Sequence, residues 1–110
     1  MLIKSGGRRL ILNGNFLGML GLAKRAGKVV TGEEKSLKAI RSGNARLVII
    51  ANDASLNTRK SITDSCKYYS VKYIEAAQKA ELGKYTGDVS RAVVSVNDDN
   101  FAKAILDKLG

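Results

Sequence analysis

The 110-residue sequence predicts an α/β domain whose sheet is covered by helices on both faces. Leu47-Val48-Ile49-Ile50-Ala51 is a continuous apolar run, the pattern of a strand buried on both sides. Shorter β-type segments alternate with stretches of helical periodicity, the order that α/β architectures share. Proline is absent, so nothing in the chain lacks a backbone donor or forces a break.

Residues 1–14 contain Gly6-Gly7-Arg8-Arg9 and Asn13-Gly14 and read as a flexible, basic, turn-rich leader, with the folded domain expected over 15–110. From Asn15 a helical pattern begins, with Phe16, Leu20 and Ala23 at i, i+4 and i+7. It closes at Lys24-Arg25-Ala26-Gly27, where cations and a glycine suit a C-terminus. Lys28-Val29-Val30 is a brief strand. Thr31-Gly32-Glu33-Glu34 then reads as a helix start, with Thr31 as N-cap and Glu34 as its capping-box partner. This second helix turns Leu37 and Ile40 inward and stops near Ser42-Gly43-Asn44, and residues 47–51 form the central strand. Asn52-Asp53-Ala54-Ser55 is a polar loop leading into a third helix over 56–69, whose inner stripe is Ile62, Cys66 and Tyr69. A strand at 71–74, a helix over 77–85, a loop at 86–90, a strand at 91–96 and a helix over 98–109 complete the chain. Phe101, Ile105 and Leu109 face inward on that last helix.

Hydrophobic residues make up 45% of the chain and charged residues 26%, which with this length fits one compact core rather than a disordered segment. The charge is less ordinary. Nineteen Lys and Arg against ten Asp and Glu give +9, and residues 1–46 hold 10 basic and 2 acidic side chains while 47–110 hold 9 and 8. Polyanions are the expected partners. Histidine is absent and Cys66 is the single cysteine, which excludes His-based triads, His-based zinc sites, Cys clusters and an intrachain disulfide. No stretch has the length of a transmembrane helix and no signal-peptide cleavage pattern is present, so a cytoplasmic location is expected.

Gly14, Gly18 and Gly21 are spaced G-x3-G-x2-G, not the G-x-G-x-x-G of a dinucleotide site, and no Walker motif exists. The carboxylate pairs Glu33-Glu34 and Asp98-Asp99 stand at helix starts, where acidic residues complement the dipole. Cys66 falls on a buried stripe and is expected to act as a small hydrophobe. Tyr68, Tyr69, Tyr73 and Tyr85 are expected to serve packing or its edges, not an aromatic stacking platform. No catalytic residue, cofactor or metal is expected. The informative segment is basic: Lys24, Arg25, Lys28, Lys35, Lys38, Arg41 and Arg46 lie within 23 residues around a helix that begins with glycine. A helix N-terminus offers free amides, and Gly32 removes the side chain that would hold a phosphate away. Lys35, Lys38 and Arg41 recur at i, i+3 and i+6, roughly opposite Leu37 and Ile40. Composition alone leaves RNA binding and a solvated face equally open.

The block Gly32-Glu33-Glu34-Lys35-Ser36-Leu37-Lys38-Ala39-Ile40-Arg41-Ser42-Gly43, followed by Ala45-Arg46-Leu47-Val48-Ile49-Ile50-Ala51-Asn52-Asp53-Ala54-Ser55, resembles the kink-turn-binding ribosomal proteins. That family includes the large-subunit proteins seven-Ae and thirty-e. In a bacterial member the pattern extends through Asn57-Thr58-Arg59-Lys60 and Leu82-Gly83, and the likeness covers roughly residues 15–110. The resemblance implies a three-layer α-β-α sandwich around a four-stranded mixed sheet. It also implies recognition of RNA internal loops in which tandem sheared G·A pairs sit beside a sharp bend. On this likeness Gly32 matches the family glycine, Glu34 and Lys35 stand where the G·A pairs are read, Lys38 takes the position of a phosphate-contacting lysine, and Glu33 beside them is counted among the RNA-binding residues. Arg41 continues that face. Asn52, Asp53 and Ala54 belong to one loop closing around the bend, and Gly87, Asp88, Val89, Ser90 and Arg91 to the other. Many relatives carry Asn then Glu where this chain has Glu34 then Lys35, and Asp88-Val89-Ser90 is less apolar than their second loop. A carboxylate accepts but cannot donate, so Glu34 can meet base amino groups and not phosphate.

The sequence is therefore expected to encode a cytoplasmic, monomeric, non-enzymatic protein. Its expected partner is structured RNA, a kink-turn or ribosomal RNA, rather than DNA or a membrane. The alternative is a protein-interaction domain that docks on the ribosome or a translation factor through helix three, with only nonspecific RNA affinity.

Overall fold

The computed structural model describes residues 6–109, with side-chain surroundings given from Phe16 onward. In chain order the elements are α1 Gly6–Arg25, β1 Val29–Thr31, α2 Glu33–Arg41, β2 Leu47–Ile50, α3 Leu56–Tyr69, β3 Tyr73–Glu75, α4 Lys79–Tyr85, β4 Val93–Val96 and α5 Asp99–Leu109. The four strands form one sheet in the order β1-β4-β2-β3. β4 runs antiparallel to both neighbours, pairing Val30 with Ser95 and Ile49 with Val94, whereas β3 lies parallel to β2 with Ile49 beside Ile74. A parallel neighbour needs a crossover, and α3 supplies it.

Helices α1, α4 and α5 pack together on one face of the sheet and α2 and α3 on the other, giving the three-layer α-β-α sandwich with a mixed sheet. The two interior strands, β2 and β4, are buried at every position, which is why 47–51 reads as an unbroken apolar run. Phe16, Leu20, Ile40, Ile49, Ile62, Leu82 and Ile105 belong to one cluster that fills both layers.

Several local expectations need correction. α1 begins at Gly6 rather than Asn15, so residues 6–14 of the expected leader continue the helix, while 1–5 lie outside the described residues. Extending an existing helix requires no new nucleus, and no proline stands in the way. Thr31 is not an N-cap: it pairs with Val94 as the last residue of β1, and α2 starts at Gly32 with no side-chain cap and no capping box. A capping box does occur at α4, between Gln78 and Glu81, because Ala77 turns the chain at φ 65° and delays that helix to Lys79. The inner stripe of α2 is Ser36, Ala39 and Ile40, with Leu37 only partly buried. Tyr69 is 44% exposed, not inward, since α3 ends there and Ser70 takes a left-handed φ of 58° that returns Val71 to the core.

Candidate nucleic-acid interface

β1 passes into α2 through Gly32, whose φ of 97° and ψ of 159° lie in a region closed to ordinary side chains. Its N–H donates to the Val93 carbonyl (2.9 Å) and its own carbonyl accepts from the Ser36 N–H (3.0 Å), so the turn is fixed to the start of β4. Because no side chain caps α2, the amides of its first turn remain available to an acceptor from outside.

Two loops are pinned beside this turn. In the second, residues 86–91, the Arg91 guanidinium lies against the bare face of Gly32: a Cβ there would stand 3.2 Å from Nη1. Arg91 also pairs with Asp88, whose other carboxylate oxygen accepts from the Val89 N–H (2.8 Å). The Val89 amide, followed by Arg91, holds the Asp88 carboxyl below its ordinary value. The loop rests directly on α4. A Cβ at Gly83 would fall 2.5 Å from the Ser90 nitrogen and 2.6 Å from its Cα, and the Asp88 N–H donates to the Gly83 carbonyl (2.8 Å). Val89 projects from the loop with 87% of its surface exposed.

The first loop is held from several sides. The Asn52 N–H donates to the Ala77 carbonyl (2.8 Å), and the Lys79 N–H donates to Asp53 Oδ1 (2.8 Å). Arg59 donates to the Asn52 carbonyl (3.0 Å) and the Ala54 carbonyl (3.4 Å) while pairing with Glu75. Ser55 caps α3 by accepting from the Thr58 N–H (3.1 Å). The Thr58 hydroxyl in turn donates to Glu33 Oε1 (2.9 Å), linking α3 to the head of α2.

The expected site residues thus divide by what they can still contact. Gly32, Glu34, Lys35, Lys38 and Arg41 lie along the open side of α2, where Glu34, Lys35, Lys38, Arg41 and Ser42 line a shallow groove. Lys35 and Lys38 also border an adjoining depression with Asn44 and Asn97. Among the described residues, Lys35, Lys38 and Arg41 make no ion pair, whereas Arg46 binds Asp99 and the Gly43 carbonyl. Glu33 and Asp53 are engaged by Thr58 and Lys79, and the Ala54 side chain is buried, so these three shape the site rather than offer free polar groups. Asn52, Gly87, Asp88, Val89 and Ser90 are exposed and Arg91 is half-buried.

Sequence reasoning did not single out Thr58, Arg59 and Gly83 as parts of the site. Thr58 and Arg59 carried a signal, the Ser55-x-x-Thr58 spacing of an ST N-cap, but their partners are remote in sequence. Cys66 is fully buried, and burial pushes its thiol up to about 11, which keeps it a protonated core residue. Among the described residues, no helix is long and apolar enough to cross a membrane.

An uncapped helix head, three unpaired cations on one groove and one acceptor-only carboxylate among them make a surface for a polyanion that also presents donor groups. Residues 15–106 match the ribosomal protein L7Ae/L30e/S12e/Gadd45 family. The chain is 46% identical over 91 residues to the RNA-binding protein YlxQ of Bacillus subtilis (strain 168), covering 83% of this chain and 91% of that one. It is 40% identical over 101 residues to the RNA-binding protein YlxQ of Enterococcus faecium, covering 92% of each. A solved structure of a protein of unknown function from Bacillus halodurans C superposes with a TM-score of 0.82 at 34% identity, over 86% of this chain and 95% of that one.

Proposed function

This chain belongs to the ribosomal protein L7Ae/L30e/S12e/Gadd45 family, and on that premise we propose that it is a non-enzymatic RNA-binding protein that recognises kink-turns in ribosomal or translation-related RNA. The observation that carries this reading is the uncapped head of α2 at Gly32, flanked by two loops that are each hydrogen-bonded into the fold. Such a frame suits a rigid, bent RNA better than a flexible strand, because preformed loops lose little freedom on binding.

In this assignment the amides at the head of α2 donate to a base edge, beside the Arg91 guanidinium that lies over Gly32. Glu34 accepts from the amino groups of sheared G·A pairs. Lys35, Lys38 and Arg41 neutralise the phosphates that a sharp bend crowds together. Val89 offers an apolar contact to a base flipped toward the 86–91 loop, while Asn52 and Arg91 border the other side of the bend. The protein acts as a monomer in the cytoplasm, on RNA rather than DNA or membrane.

The test is a titration of a kink-turn RNA against the same RNA with its G·A pairs changed to Watson-Crick pairs, at matched near-physiological salt. A preference of tenfold or more, about 1.4 kcal/mol, is expected. Equal affinity would leave only a basic surface and would transfer the assignment to a protein-interaction domain docking on the ribosome or a translation factor.

A further inference from the structure

Helix α3 ends in two adjacent tyrosines that the core does not use. Tyr68 is 80% exposed and Tyr69 44%, and their rings meet edge to face with centroids 4.9 Å apart and planes inclined by 72°. Such a pair occupies one ring face at most, so it forms a fixed corner whose remaining faces are open. Exposed ring faces of this kind are surfaces on which a flat ligand can stack.

The surrounding charge indicates what kind. Lys60 pairs with Asp64 and Arg59 with Glu75, which cancels the acidic groups of this helix and of the strand that follows. Lys67 and Lys72, on either side of the tyrosines in sequence, are exposed and form no ion pair among the described residues. Open π faces flanked in sequence by uncompensated cations match a strand of unpaired nucleotides: bases stack and phosphates meet ammonium groups. A hydrophobic partner protein would leave those two lysines uncompensated.

Ser55, at the head of α3, stands beside the proposed kink-turn site, whereas Tyr68 and Tyr69 are at the helix's far end. Fourteen residues at about 1.5 Å each separate the two by roughly 20 Å. We infer that the Tyr68–Tyr69 corner is a second RNA contact, a stacking platform for an unpaired nucleotide in the strand leaving the structured element, with Lys67 and Lys72 neutralising its backbone. The inference rests on the chain binding RNA, and not on its preference for kink-turns.

The experiment compares one structured RNA in two forms, blunt and with a single-stranded pyrimidine overhang of about ten nucleotides, within the range one such site can occupy. Each is titrated with the full chain, with Tyr68→Ala and with Tyr68→Phe. Tyr68→Ala should weaken binding of the overhang RNA by at least about fivefold, the lower end for one stacked base, and leave the blunt RNA unchanged. Tyr68→Phe, which keeps the ring, should bind both as the parent does. The platform would be overturned if Tyr68→Ala and a Tyr68→Ala/Tyr69→Ala variant both bound the overhang RNA like the parent, or lost affinity equally for the two forms. Because the readout is overhang against blunt, it stays decisive even if the G·A comparison shows no kink-turn preference.

Discussion

Gly83→Ala isolates what the absence of one side chain does for the proposed interface. The new Cβ would lie 2.5–2.7 Å from backbone atoms of Val89 and Ser90, where ordinary contacts begin at 3.4 Å, so the loop must retreat by nearly 1 Å. Backbone cannot rotate away as a flexible side chain can. Overpacking of this kind costs about 1–3 kcal/mol, and alanine's better helix propensity returns up to about 1 kcal/mol within α4. The net loss of stability is therefore roughly 0–3 kcal/mol, a modest part of the 5–15 kcal/mol typical of a domain. Binding should suffer more. The same displacement moves Asp88, Val89 and Arg91 from their places beside the head of α2, and loss of one charged contact there weakens affinity by about 1.5–3 kcal/mol, on the order of tenfold to a hundredfold. Urea unfolding gives the first quantity and RNA titration under fully folded conditions the second, with amide spectra of residues 87–91 reporting the movement. Shifted amides with unchanged RNA affinity would refute the importance of loop position, and unshifted amides would refute the overlap itself.

Gly32→Ala should cost about 1–3 kcal/mol of stability, because φ 97° with ψ 159° is strained for any residue with a Cβ; a urea midpoint equal to the parent's would contradict that conformation. Lys38→Ala should reduce the slope of log affinity against log salt by about one unit, the loss of one phosphate contact, and an unchanged slope would remove Lys38 from the phosphate-binding set. Asp88 titrates below its ordinary value in the folded chain, so its contribution to stability is present above the unfolded carboxylate pKa of about 3.9 and is lost as pH falls through the lower folded value. Asp88→Asn should flatten the part of an acid-unfolding profile that lies below about pH 4, and a profile identical to the parent's would show that the carboxylate does not hold the loop.

What the sequence made legible was mostly local and periodic. The third helix runs over Leu56–Tyr69 as its pattern predicts, and the 47–51 run is the interior strand β2 with one further buried residue. Thr31 was misread because a threonine three residues before a glutamate suits a cap, whereas a ladder to β4 claims it first. Tyr69 was misread because nothing in a helical stripe reveals that α3 stops before that ring can turn inward, whereas Tyr73 packs against the core as expected. In the proposed site, Gly32 and the lysines of α2 could be named from their spacing and from the family likeness. Other features depend on partners far away in sequence: Thr58 reaches Glu33 across 25 residues and Asp53 reaches Lys79 across 26. Gly83 was legible only as part of the family pattern, because the loop that lies across it comes from residues 89 and 90 and no local periodicity announces that contact.

The pairing of β1 with β4 has a consequence for the order in which the protein is made. β1 sits at the sheet edge with β4 as its neighbour, Gly32 is bonded to Val93, and Arg91 covers its open face. A ribosome therefore completes the basic strip of α2 long before it supplies the residues that set the strip's head in place. Until the chain has been extended past Val96, the cations exist without that frame. On the proposed reading, a product interrupted before Val93 would inherit the charge of α2 without the frame that gives it selectivity.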